Sequence, residues 1–327
     1  MVRAWAVLAV GFLAASLPSV GAVHQGADDV NALDLNVVLH HPLPDEKGDP
    51  WGIPAANLNG TDVDWLAGYY GSYYFPTAVF DGLMVVESVP QEEGAGAYNE
   101  TYEGYRRIME VRRGVDPPLR IHLEVTGAST LEVAATFLPA ASFAEQGLVP
   151  RFVLYEDDVS FNGGNGIFNH RFVVRAMTSL DALDFSGGEA IRATTTFLTD
   201  GLGDPARAGI VVYVQNTRED SAFFKFKEIL QSATWRSGQT GPTHQASKAV
   251  LLEMYSATWC AACVYGDAAA DNLANQFGVV SARIDAGAFA YLRPGPAWLM
   301  ALGVVAAVAA GWAAGPRHPK RPSEGPT

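Results

Sequence analysis

All the cysteine in this 327-residue chain lies in one tetrapeptide, Cys260-Ala261-Ala262-Cys263. No covalent staple can join distant parts of the chain, so its cores must be held by apolar burial. A disulfide closing so short a loop contributes only about 2 kcal/mol in the chain-entropy account, which makes stapling a poor reason for the pair. Half of a zinc site is a second reading. It needs two further ligands, no Cys or His pair follows at finger-like spacing, and the adjacent His40 and His41 on a strand would point to opposite faces. No metal and no cofactor is expected.

Redox chemistry is the third reading, and the flanking sequence suits it. Residues 249–255 are a mostly apolar run of strand length, and residues 268–277 carry Leu273 and Phe277 at helical spacing. The cysteines fall where the strand gives way to the helix. Unpaired N–H groups and the dipole at a helix N-terminus stabilise an anion, so Cys260 is the expected attacking thiolate. Cys263, within reach on the same face, is the expected resolving thiol.

The ends of the chain carry other signals. Arg3, an apolar stretch from Ala4 to Leu17 and the small residues before Val23 have the order of a secretory signal over residues 1–22. Residues 297–314 carry no charge, have Trp298 and Trp312 near their ends, and precede Arg317, His318, Lys320 and Arg321. As a helix they reach about 27 Å, just short of a hydrocarbon core of about 30 Å. The expectation is a single transmembrane helix with 315–327 as a cytoplasmic tail and the folded part outside the cell membrane. A buried Ala-rich helix and a cleaved sorting signal remain alternatives. A formal charge of -13 repels phosphates, so no nucleic acid partner is expected.

At this length two folded units are the starting expectation. Between roughly 102 and 235 the chain turns to short alternating runs. Leu119, Ile121, Leu123 and Val125 alternate with Arg120, His122 and Glu124, and Leu131, Val133, Ala135 and Phe137 repeat the pattern. Residues 152–155, 170–176, 191–198 and 209–215 are further strand candidates, separated by turns such as Asn162-Gly163-Gly164-Asn165-Gly166. About seven short strands suggest an antiparallel β-sandwich over 102–235. His170 and Arg171 read as solvent-facing or edge residues within it.

The octapeptide Ser256-Ala257-Thr258-Trp259-Cys260-Ala261-Ala262-Cys263 resembles the active site of the thioredoxin superfamily, with its tryptophan before the first cysteine. Tyr73 to Gly82 resembles that family's cis-proline loop with the strand and turn after it, and Pro76 matches the cis-proline. Residues 49–51 and 65–70 resemble the helical crossover leading to it. The halves stand in reversed order, which implies a circularly permuted α/β thioredoxin-like domain split into a cis-proline half, 33–90, and a CxxC half, 248–285, around the inserted sandwich. With that sandwich, the chain is similar to outer-membrane thioredoxin-like proteins.

The resemblance implies a membrane-anchored thiol-disulfide oxidoreductase exchanging disulfides with exported protein thiols and served by a redox partner protein. Cys260 and Cys263 would be catalytic, Trp259 and the Pro76 loop would shape the contact surface, and Glu253 is the candidate proton-transfer acid. Glu253 lies one residue further from Cys260 than the family pattern, and the Ala-Ala dipeptide carries over no redox potential. The alternative is a non-catalytic cell-surface binding protein with a quiet disulfide.

Overall fold

Alternation along the middle strands sends their two faces into different cores. The structure, a computed structural model, describes residues 30–40, 69–70, 74–87, 94–222 and 224–277. Its strands are β1 Leu35–His40, β2 Thr77–Phe80, β3 Met84–Glu87, β4 Leu119–Thr126, β5 Thr130–Pro139, β6 Gln146–Glu156, β7 Val159–Ser160, β8 Asn169–His170, β9 Val173–Ser179, β10 Leu183–Asp184, β11 Ile191–Leu198, β12 Ala208–Asn216, β13 Ile229–Arg236, β14 Thr243–Gln245 and β15 Val250–Tyr255. With them, among the described residues, are the α-helices α1 Ala95–Arg113 and α2 Cys263–Phe277.

Eight of the strands run in the order β13-β12-β6-β9-β1-β15-β2-β3, and β10 adds to β6 to make a nine-stranded sheet. A second sheet has the order β11-β5-β4-β14. Phe152, Leu154, Ile210, Val212 and Leu230 of the first sheet pack against Ile121, Leu123, Val133 and Phe137 of the second in one shared core. This β-rich packing is consistent with the sandwich expected for the stretch.

Residues on the opposite faces of the same strands, Val153, Tyr155, Val211, Tyr213 and Ile229, enter another core with Val37, Val79, Leu251 and Tyr255. Strands buried on both sides read as continuous apolar runs, as β12 and β15 do. The large sheet curls to bring these parts together. Asn36 of β1 donates to Ser232 of β13 at 2.8 Å, and Lys248 donates to the carbonyls of Ile229 and Leu230 at 3.2 Å each.

An α/β thioredoxin-like domain is not what forms, and this corrects the expected fold class. Of the described residues, 43% are strand and 18% helix, so the protein is mostly β. The strands assigned to the split domain do not make a sheet of their own, because β1 pairs parallel with β15 on one side and with β9 on the other. Phe80 meets Tyr105 of α1 at 5.4 Å between ring centroids, and Met254 abuts Gly266 of α2, so both helices lie on the Phe80–Met254 face. On the other face, Tyr213 of β12 and Tyr70 meet Glu253. The expected crossover at 49–51 and 65–68 lies outside the described residues, as do residues 1–22, 297–314 and 315–327. Among the described residues no helix is long and apolar enough to cross a membrane.

Helix α1 takes up residues 95–113, so Tyr102, expected to open the strand-rich region, sits inside a helix. Its buried stripe of Ala97, Tyr102, Tyr105 and Met109 has helical spacing. Truncating Met109 to Ala there would cost about 2–5 kcal/mol. The β2–β3 turn places Asp81 and Gly82 at φ 47° and 69°. A Cβ on Gly82 would come within 1.9 Å of the Lys227 carbonyl oxygen, so only glycine fits. Buried Asp81 pairs with Arg112 at 2.9 Å and Lys248 at 3.1 Å and accepts from the Leu251 N–H at 2.9 Å, tying α1 to β15.

Candidate functional site

Strand β15 ends at Tyr255, and the chain makes a turn, with the Cys260 N–H donating to the Ala257 carbonyl at 3.1 Å, before α2 begins at Cys263. Cys260 and Cys263 are joined by a disulfide with their Cα atoms 5.3 Å apart. Cys263 is fully buried and Cys260 is 7% exposed. The Cys263 N–H, at the helix N-terminus, is shared between the carbonyl oxygen and the sulfur of Cys260, each at 3.2 Å. That donor would favour a thiolate on Cys260 over one on Cys263.

The other expected residues fall into two groups. The Phe75–Pro76 bond is cis, and Pro76 packs on α2, where a Cβ added to Gly266 would lie 3.0 Å from the proline Cβ. Phe75 meets Trp259 edge-on at 5.9 Å, and both pack against the cysteine pair. Trp259, Cys260 and Cys263 are thus brought together with Phe75, while Pro76 rests on α2. Glu253 is placed elsewhere. Since Met254 faces α2, alternation turns Glu253 to the opposite face of the sheet. There it accepts from Tyr70 at 2.7 Å and Tyr213 at 3.3 Å, with His40 Nε2 at 3.7 Å. Burial first, and the Glu253 charge second, push both tyrosine hydroxyls well above their ordinary 10, so they stay neutral donors.

Two features of the site were not read from the sequence. The first is a pair of carboxyl groups on α2. Asp267 follows Cys263 by one helical turn and is buried; its Oδ2 accepts from Ser256 at 2.8 Å, while its Oδ1 is buried without a hydrogen-bond partner among the described residues. Burial raises it from 3.8 to about 8. Asp271, a turn further, is raised to about 7, again by burial, with Arg171 opposing the shift. Both line a cavity of about 120 Å³ with Val37, His170 and Met254. His170 is an edge residue, on the two-stranded β7–β8 ribbon, but is buried rather than solvent-facing, and Arg171 binds Asp157 and Asn275. The i, i+4 spacing from Cys263 could have exposed Asp267 to a sequence reading.

The second is the glycine-rich turn of the strand-rich region, which lies on the cysteine loop. The Asn165 N–H donates to the Thr258 carbonyl at 2.9 Å, and its side-chain amide donates to the Ala257 carbonyl at 3.2 Å. A Cβ on Gly163 would come within 2.7 Å of the Thr258 oxygen, so glycine is what lets the backbones approach.

No family model and no curated protein matches this chain. Among solved structures, HBP35 of Porphyromonas gingivalis is similar at 15% identity and a TM-score of 0.38, over 54% of this chain and 58% of that one. The chain therefore spans little more than half the length of that protein. β-Glucosidase 3B from Thermotoga neapolitana, in complex with α-D-glucose, aligns at 15% identity and a TM-score of 0.20, over 38% of this chain and 16% of its own. A β-glucosidase from Kluyveromyces marxianus aligns at 11% identity and a TM-score of 0.22, over 48% and 18%. Likenesses at these scores fix neither a fold nor a function.

Proposed function

We propose that this chain is an exported thiol-disulfide oxidoreductase that exchanges disulfides with protein thiols through Cys260 and Cys263. The observation that carries the reading is the Cys263 N–H aimed at the Cys260 sulfur, with Cys260 the more exposed of the two. In the reduced pair the Cys260 thiolate attacks one sulfur of a partner disulfide. That bond breaks, and the partner's other sulfur leaves as a thiolate that takes a proton from water. Cys263 then loses its proton and attacks the Cys260 sulfur, releasing the second partner sulfur and restoring the Cys260–Cys263 disulfide. Two electrons pass to the partner, and a dithiol of a redox partner protein returns them. Run backwards, the sequence oxidises partner dithiols. Trp259 and Phe75 form the apolar surround of the reacting sulfurs, and Pro76 follows Phe75 onto α2.

A second reading, a binding protein with a quiet disulfide, is favoured by the low exposure of Cys260 and the Asn165 turn over its loop. Turnover separates the two. With a labelled disulfide peptide and a dithiol donor, the wild-type chain should catalyse reduction and Cys260→Ser should not. Equal rates in the two proteins would favour the quiet disulfide.

A further inference from the structure

His122 and His244 stand directly opposite one another on β4 and β14, on the outer side of the smaller sheet. The N–H and C=O of His244 both bond to Val30, on the side away from β4. The histidines are therefore a non-hydrogen-bonded antiparallel pair, the kind whose side chains come closest. Their ring centroids lie 4.1 Å apart with the planes tilted by 43°, and the two Nδ1 atoms are 3.0 Å apart. On the far side of the His122 ring, Nε2 lies 3.2 Å from the Glu124 carboxylate, whose other oxygen accepts from Arg192 at 3.2 Å. In the tautomer with its proton on Nε2, which that carboxylate can accept, the His122 ring presents a lone pair on Nδ1 to His244.

We propose that His122 and His244 form a two-imidazole chelate for Cu(II) or Ni(II), with Glu124 orienting His122 from behind. The separation suits these ions. With metal–nitrogen bonds of about 2.05 Å, nitrogens 3.0 Å apart subtend about 94° at the metal. That is close to the roughly 90° of square-planar and tetragonal sites and well short of the roughly 109° of tetrahedral zinc. Among the described residues no group of three His, Cys, Asp or Glu side chains is gathered for a metal, so water completes the coordination. The site shares no residue with the cysteine pair and stands or falls independently of the redox reading.

The test titrates Cu(II) into the tag-free full chain with its cysteines oxidised, followed by calorimetry and electron paramagnetic resonance. The wild-type chain should bind one equivalent more than His122→Ala or His244→Gln, with a tetragonal signal split by two nitrogens. Glu124→Gln should weaken that equivalent about tenfold. Either histidine variant suffices if the other does not fold. An unchanged stoichiometry and nitrogen count in a folded variant, or no saturable binding by the wild-type chain, overturns the proposal.

Discussion

The backbone N–H of Cys263 donates to the sulfur of Cys260 across 3.2 Å, so the first turn of α2 holds the more exposed cysteine at its electropositive end. A donor aimed at sulfur favours the ionised form. After reduction, limiting iodoacetamide at neutral pH should therefore label Cys260 before Cys263. Mass spectrometry of the peptides reads the order, and prior labelling of Cys263 would reverse the assignment of attacking and resolving thiols.

Asp267 gives the site a pH dependence whose sign follows from its raised value. Its folded-state pKa of about 8 stands above the ordinary 3.8. Its contribution to stability is fully present below the unfolded value and is lost as pH rises through the folded one. Between those limits the folded state holds a proton that the unfolded chain has released, so stability falls by about 1.4 kcal/mol per pH unit from this group. Asp267→Asn should flatten the decline in denaturation midpoint between those two pH values. An unchanged slope would show that Asp267 ionises freely in the folded protein.

Gly163 lets the Asn165 turn lie on the cysteine loop. Gly163→Val should push the turn off the Thr258 carbonyl and speed alkylation of reduced Cys260 severalfold. The change should also lower stability by about 1–3 kcal/mol. A variant with wild-type stability and labelling rate would mean that the turn does not cover the cysteines.

The strands were legible where one face meets a core and the other does not. Leu119 to Val125 and Leu131 to Phe137 alternate with period two, and they became β4 and β5; residues 191–198 became β11. The continuity of the large sheet was not legible. It passes through a bridge between Leu39 and Val173, and the apolar run of β1 does not reveal whether helix or strand covers its faces. Helix α1 was missed although its stripe has helical spacing, because glycine and tyrosine are weak helix formers. At the site, the cysteines, Trp259 and Pro76 were legible as local motifs. Asp267 was hidden by reading the helix from 268, and the Asn165 contact joins residues too far apart in sequence for any local pattern to show it.

Trapping the mixed disulfide distinguishes an attacking Cys260 and a resolving Cys263 from the reverse order. Reduced Cys263→Ser and Cys260→Ser chains are mixed with a labelled disulfide peptide, quenched with acid and weighed intact by mass spectrometry. Attack by Cys260 predicts a mixed disulfide at Cys260 that accumulates in Cys263→Ser, little adduct in Cys260→Ser, and release of reduced peptide by the wild-type chain. An adduct that accumulates on Cys263 in Cys260→Ser but not on Cys260 in Cys263→Ser, or no adduct in either variant, would contradict it.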